Sequence, residues 1–518
     1  MNEFKLIDAR HLIAAKQHAK AAEVLCQIQL RKDSDYADAT RYLAHIEIVQ
    51  NQHSLAAERL NKLLSDCGPD YKTLTLLAEL KMHLGDEYAA IQMAEQALTL
   101  QPENKTLSLN LAIWKSSQDQ TPVSVRANFE TWCQEFLAPP SAPQPLSHNF
   151  DRDPSKKLRI GYLSGDLKNH AVRYFIEPYF KHHNHDAFEV HVFMTGEPDV
   201  ITDILKESIA DWHDVRTASI QDLHQLIRHL CIDLLVDLSG HTAGGRLEVF
   251  ALRAAPVQVT WWGFMQTLGL KEMDYRLTDS LFCPPGSEAH YTEGLCRMSC
   301  MTAYAPPLNC DEQHESPWHE RGFVTMISLN HTRKISQNVL ELWRRVLEDN
   351  PNSGLIIVST ESTQEGADAL LKPRLASLGM PMDRIVLVPR LNLLDFMNLA
   401  SSADFALDSM PVSGGVTTFH SLWMGLPVLT IRPDTPLPLQ SYTANILQTV
   451  DLNECVTTSE GEFLLRAKSW ISKPEQVDEI RKRCRAQLVN SPFMDHASRA
   501  QELEHQFRQL WLNYLENT

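Results

Sequence analysis

Val412-Ser-Gly-Gly-Val-Thr-Thr-Phe-His420 lies between a short apolar run, Phe405-Ala-Leu-Asp408, and a helical pattern that begins near Val416. A strand, a glycine loop and a helix in that order is the unit of an α/β fold. Two glycines let a ligand approach the backbone closely, and the helix behind them presents unpaired N–H groups at the positive end of its dipole. The hydroxyls of Thr417 and Thr418 stand alongside. This arrangement suits a diphosphate, although a glycine pair before a helix is by itself more often a plain turn.

The surrounding pattern extends the α/β unit in both directions. Apolar runs at 158–163, 188–193, 232–238, 257–261 and 275–278 alternate with helical segments, and a second series follows at 323–329, 355–358, 385–388, 405–407 and 428–431. Alternation of this kind implies parallel sheets covered by helices, with ligands beyond the carboxyl ends of the strands. Pro284-Pro-Gly and Pro306-Pro307 mark a connection between the two series. Two doubly wound, Rossmann-like domains facing each other across a cleft make a GT-B arrangement, and the helical patterns at 475–490 and 496–515 are long enough to pack across both.

Upstream, Leu43-Ala44, Ala56, Leu63 and Leu64 recur 34 residues later as Leu77-Ala78, Ala90, Ala97 and Leu98. A 34-residue period with small residues at fixed places resembles the tetratricopeptide repeat, in which helix pairs stack. Gly85 turns the clearest hairpin and Pro102 follows its second helix. Such stacks often bind peptides, but so short an array could equally serve to pack on the next domain. An amphipathic segment, 123–136, leads to Ala138-Pro-Pro-Ser-Ala-Pro-Gln-Pro-Leu146, a linker composition. The expected divisions are therefore 1–118 for an all-α repeat domain, 119–156 for a helix and linker, 157–305 for the first GT-B half, and 306–518 for the second, nucleotide-binding half with the final helices crossing back.

Composition narrows the classes. With 518 residues, 43% of them hydrophobic, the chain can fill several cores. A net charge of −17 without long like-charge runs argues against a nucleic-acid binder, and no stretch reaches the roughly 20 apolar residues that span a bilayer. The N-terminus has no secretory pattern, so a cytoplasmic location is expected. Ten scattered cysteines, with Cys296, Cys300 and Cys310 lacking a metal-knuckle spacing, are expected as reduced thiols.

Several longer motifs carry a family resemblance. Arg159-Ile-Gly-Tyr-Leu-Ser-Gly-Asp-Leu-Lys-Asn-His170, Leu235-Val-Asp-Leu-Ser-Gly-His-Thr-Ala-Gly244, Phe250-Ala-Leu-Arg-Ala-Ala-Pro-Val-Gln-Val259, Met273-Asp-Tyr-Arg-Leu-Thr-Asp279, Asn330-His-Thr-Arg-Lys-Ile335 and Ser491-Pro-Phe occur in one order. Together they resemble the catalytic region of protein O-GlcNAc transferases and their SPINDLY relatives, glycosyltransferase family 41. The resemblance covers roughly residues 157–515, and tetratricopeptide repeats are the family's usual N-terminal partner. It implies inverting transfer of a sugar from a nucleotide donor, with UDP-GlcNAc leading, to Ser or Thr of a protein or peptide acceptor, without a catalytic metal or other cofactor.

It also gives roles to residues. Lys334 matches the lysine aimed at the leaving diphosphate, though an unaided loop lysine is more often a solvated charge. Asn330, Gly414, Gly415, Val416, Thr417, Thr418 and His420 fall at the donor. His170 matches a histidine of the cleft long discussed as a general base, and a near-neutral imidazole suits a hydroxyl proton. His241, Thr242 and Thr267 are candidate sugar or acceptor contacts, with a structural role equally open to His241. Asp166 and Asp237 could orient either histidine ring, while Arg253 suits a structural ion pair, and Gln258 and Trp261 the sheet wall. The chain departs from its relatives at Phe264-Met-Gln-Thr267, where Tyr-Pro-Gly-Thr is common, at Val416, where O-GlcNAc transferases have histidine, and at His420, where a ribose-binding carboxylate is expected. These departures leave open GDP-fucose or another sugar-nucleotide donor, or an inactive repeat-based adaptor, and transfer of glucose to Asn is a further alternative.

Overall fold

A computed structural model describes residues 6–31, 35–116, 121–137, 151–310, 315–434 and 437–517. Eight helices come first: α1 Leu6–Ala14, α2 His18–Arg31, α3 Tyr36–Val49, α4 His53–Cys67, α5 Tyr71–His83, α6 Glu87–Leu100, α7 Lys105–Ser116 and α8 Pro122–Phe136. The small residues of the repeat pattern form its inner surface, and Leu77, Ala78, Ala90, Ala94 and Ala97 are all buried. Asp70 starts α5 by accepting from the N–H groups of Lys72 and Thr73, which satisfies amides the helix leaves unpaired. The proline-rich stretch 138–146 lies outside the described residues.

Two parallel sheets follow. The first contains β1 Leu158–Ser164, β2 Phe188–Met194, β3 Asp211–Asp214, β4 Leu234–Asp237, β5 Val257–Thr260, β6 Tyr275–Asp279 and β7 Gly294–Met298, in the order β3-β2-β1-β4-β5-β6-β7. The second contains β8 Val324–Ser328, β9 Ser353–Val358, β10 Ile385–Val388, β11 Phe405–Leu407, β12 Val428–Ile431 and β13 Val456–Thr457, in the order β10-β9-β8-β11-β12-β13. Strand order reverses direction at β1/β4 and at β8/β11, and a doubly wound sheet leaves a crevice at such points. Both halves are Rossmann-like and the expected GT-B class is the observed one. Strands β3, β7 and β13 did not stand out in the sequence. They are edge strands, and Asp-Trp-His-Asp in β3 is polar and partly exposed, so it lacks the apolar run that marks an inner strand.

The two halves and the repeats are tied together by polar contacts to backbone. The last helix, His496–Asn517, lies on the first half, where Glu504 accepts from the Asn184 N–H at 2.6 Å and pairs with His183 at 3.0 Å. Helix α8 docks on the same half through Phe129 and Trp132. The repeats instead press on the second half. Glu361, buried after β9, accepts from the His53 N–H at 3.1 Å and meets its Nδ1 at 3.1 Å, while Ser362 Oγ donates to Gln50 O and Arg390 donates to Asn51 Oδ1. Arg374 donates to both Leu84 O of the repeat and Ile335 O of the second half. Gly85 does more than turn its hairpin. A Cβ there would lie 2.9 Å from Thr332 O and 2.5 Å from the Arg374 guanidinium, so only glycine lets the turn sit this close.

Glu361→Ala would leave the His53 N–H buried and unmatched, a loss of about 1–3 kcal/mol. We expect faster amide exchange in the α3–α4 turn and in residues 330–335, with the first sheet unaffected. Unchanged exchange at both places would show that this carboxylate does not hold the repeats.

Candidate functional site

The loops beyond β8 and β11 converge at the second switch point. Asp408, directly after β11, is buried, and its Oδ1 accepts from Gly414 N at 2.8 Å and from Asn330 Nδ2 at 3.2 Å. Its Oδ2 accepts from Thr430 Oγ1 at 2.7 Å. Asn330 Oδ1 in turn accepts from Thr417 Oγ1 at 3.0 Å. Burial raises the Asp408 carboxyl, opposed by the Thr430 hydroxyl, the Gly414 amide and the Lys334 charge. One carboxylate thus fixes the glycine loop, the end of β8 and β12.

Helix Val416–Trp423 starts behind that loop with Gly415 as its N-cap, and no side chain closes it. Its first amides therefore face the cleft with the dipole behind them. Thr418 Oγ1 bonds Thr443 Oγ1 at 2.9 Å, and a Cβ on Gly414 would lie 2.5 Å and 2.9 Å from these two hydroxyls. Lys334 reaches across from a short turn, Thr332–Lys334, and its Nζ donates to Ser413 O at 2.7 Å. Burial first, and then the neighbouring Arg333, bring its ammonium down to about 8. It remains mostly cationic near neutrality, hydrogen-bonded to a carbonyl and favoured by the Asp408 charge, and a cation so placed can attract an anion.

On the facing half, His170 stands partly exposed after β1, 3.8 Å from Asp166. Crowding by the cleft walls lowers its imidazole; Asp166 pulls it up, while Lys168 and then Arg333 push it down. Thr242 is exposed beside Asp166 and donates to Ser239 O.

Three expected contacts sit elsewhere. His241 is buried, its Nε2 2.7 Å from Leu268 O and its ring stacked on Phe129 at 5.1 Å, so packing of α8 uses it. Asp237 does not orient it; that carboxylate accepts from the amides of Ser239 and Gly240 and from Thr260 Oγ1. Thr267 donates to Glu293 at 2.8 Å and lines a separate cavity of about 270 Å³ with Pro122, Phe282 and Tyr291. His420 is 4% exposed, bonds Tyr304 Oη through Nδ1 at 2.8 Å and meets Tyr174 edge-on at 4.8 Å. Its ring joins the two halves instead of lying open to a ribose. Arg253 pairs with Asp274 at 2.7 Å, and Trp261 and Gln258 are buried in the sheet, as expected. Asp408 and Arg333 had not been singled out, although both lie in stretches already quoted.

Burial holds the imidazoles of His241 and His420 at about 4 and about 3. The unfolded chain takes up these protons as pH falls through about 6.5 while the folded chain does not, so stability is lost on the acid side, each group contributing at most about 1.4 kcal/mol per pH unit. The urea midpoint should fall between about pH 7 and about pH 5, and fall less in His241→Gln. A midpoint flat over that range would contradict the neutral, buried placement of both rings.

Comparison with known proteins agrees with this fold. The family model described as Glycosyl transferase family 41 matches residues 127–304 and 319–503. A protein of Petunia hybrida named probable UDP-N-acetylglucosamine–peptide N-acetylglucosaminyltransferase SPINDLY is 32% identical over 375 residues, 71% of this chain and 40% of that protein. The similarly named protein of Oryza sativa subsp. japonica is 30% identical over 82% of this chain and 46% of its own length. The chain thus spans less than half the length of these curated relatives. Among solved structures, a mutant O-GlcNAc transferase of Thermobaculum terrenum superposes with a TM-score of 0.88 at 27% identity, covering 98% of this chain and 97% of that one. By the match of the family model over both halves, the chain belongs to glycosyltransferase family 41.

Proposed function

We propose that the protein transfers a sugar, with inversion, from a nucleotide donor to Ser or Thr of a protein acceptor, and that the donor is UDP-GlcNAc. The observation that carries this reading is Lys334 Nζ, 2.7 Å from Ser413 O at the uncapped start of helix Val416–Trp423. A cation and free amides at one point are what a departing diphosphate requires. Asn330, Gly414, Gly415, Val416, Thr417 and Thr418 line that point, and the charge comes from the chain's own lysine in place of a metal. The names and assigned activity of the relatives support the donor and the acceptor class.

In the transfer, the acceptor hydroxyl oxygen forms a bond to the anomeric carbon as the carbon–oxygen bond to the diphosphate breaks. The bonding pair leaves on the diphosphate, held by Lys334 and the helix amides. His170, whose imidazole is lowered by its surroundings, takes the hydroxyl proton in this reading. His420 is assigned to the wall joining the halves, with no ribose contact. The acceptor's route is a cleft of about 1370 Å³ between the repeats and the second half, lined by Gly85, Asp86, Tyr88, Ser336, Met410 and Gln440. Ten free cysteines suit a reducing compartment, and we place the reaction in the cytoplasm. No described helix is long and apolar enough to cross a membrane.

Lys334→Met should keep its melting temperature and lose about 100-fold or more in donor turnover. Turnover within a few-fold of the unaltered protein would remove the lysine from the mechanism. A thermal-shift screen of UDP-, GDP- and CMP-sugars identifies the donor, since a ligand at about 100 times its Kd stabilises by about 2.7 kcal/mol. Mass spectrometry of the modified peptide then separates Ser or Thr from Asn. A response to GDP-fucose alone, or to no donor, would replace the UDP-GlcNAc assignment.

A further inference from the structure

Arg333 lies between Thr332 and Lys334 in the turn that carries the cleft lysine, and its side chain is exposed. Other arginines of the two halves are matched: Arg253 has Asp274, Arg276 has Phe264 O, and Arg297 has Glu288. Among the described residues, no carboxylate or carbonyl pairs with the Arg333 guanidinium, and crowding alone sets its own titration. Its neighbours are groups that it repels. The charge of Arg333 depresses His170 across the cleft, His83 of the repeats, His331 beside it and Lys334 after it. Three parts of the chain therefore meet around one unmatched cation.

The turn is also held in place. His331 Nδ1 accepts from the Arg333 N–H at 3.2 Å, and the His331 ring lies 6.2 Å from that of His83, which stacks on His53 at 5.2 Å. Thr332 Oγ1 accepts from Thr360 N at 3.1 Å, and Arg374 holds Ile335 O. The buried carboxylate behind the glycine loop, Asp408, is already shared by Gly414, Asn330 and Thr430. Asp408 offsets part of the Lys334 charge, whereas among the described residues no carboxylate offsets that of Arg333.

We propose that Arg333 is a second cation for the donor's diphosphate, closing on its oxygens beside Lys334 as the bond to the sugar breaks. The inference rests on the donor site assigned above and adds a residue to it. A planar guanidinium holds two phosphate oxygens in a fixed parallel fork, a geometry an ammonium does not impose, so the pair divides the work: Lys334 supplies a point charge and Arg333 a fork. The fork fixes the direction in which the leaving group departs. No atom is added to the reaction; the electron pair still leaves on the diphosphate oxygen.

The test is calorimetric binding of UDP and of uridine to the unaltered protein, Arg333→Met, Arg333→Lys and Lys334→Met, with donor hydrolysis measured in parallel without acceptor. Arg333→Met should weaken UDP about tenfold or more, leave uridine unchanged and slow hydrolysis, and Arg333→Lys should recover only part of the loss. UDP affinity within twofold of the unaltered protein overturns the proposal, as does an equal loss for uridine, which would mean a general disturbance of the site. A defect confined to the KM of acidic acceptor peptides also overturns it, by assigning the guanidinium to the acceptor. If Lys334→Met weakens UDP and Arg333→Met does not, this inference alone fails. If the unaltered protein binds neither UDP nor GDP, the donor site fails with it.

Discussion

A buried carboxylate at the end of a strand, accepting from the glycine loop that follows and from a threonine on the next strand, is the contact on which both halves depend. Asp408 does this with Gly414 and Thr430, and Asp237 does it with Gly240 and Thr260. Each aspartate stands on the later strand of a switch point, β11 or β4, where adjacent loops part and leave a crevice. Burying a charge is costly unless amides and hydroxyls surround it, and here the compensating groups are those of the ligand-facing loops. The loops are thereby held in shape before any donor arrives. In the second half Asn330 extends the arrangement to Thr417, so the end of β8 and the start of the helix are joined.

The repeats complete this arrangement from outside. Gly85 lets a hairpin press against Thr332 O, Arg374 ties the repeat's Leu84 O to Ile335 O, and Glu361 holds the next turn through His53. Contacts to the backbone on both sides of Lys334 mean that the array does more than wait for an acceptor. It sets the position of the turn that carries Lys334. The cleft between repeats and second half opens beside the same turn.

Much of this could be read from the sequence because it repeats or alternates. The 34-residue spacing places the helix pairs, and apolar runs separated by helical segments place the inner strands of two parallel sheets. Edge strands such as β3 escape because solvent allows them to be polar. The site was harder. Lys334 and the glycine loop came from ordered motifs, but the role of Asp408 depends on three partners 6, 22 and 78 residues away, which no local pattern displays. His241 and His420 have the chemistry of contact residues, and only burial and partners reveal that Phe129 and Tyr304 occupy them. Arg333 stood in a quoted motif yet needed the structure to show what it lacks.

The most direct measurement is a crystal structure of the protein with UDP. The expected result places the diphosphate within about 3 Å of Lys334 Nζ and of the amides of Val416 and Thr417, with Ser413 O released or shared. A diphosphate seated in the cleft beside Tyr88 or in the cavity beside Thr267, with Lys334 still on Ser413 O alone, would contradict it.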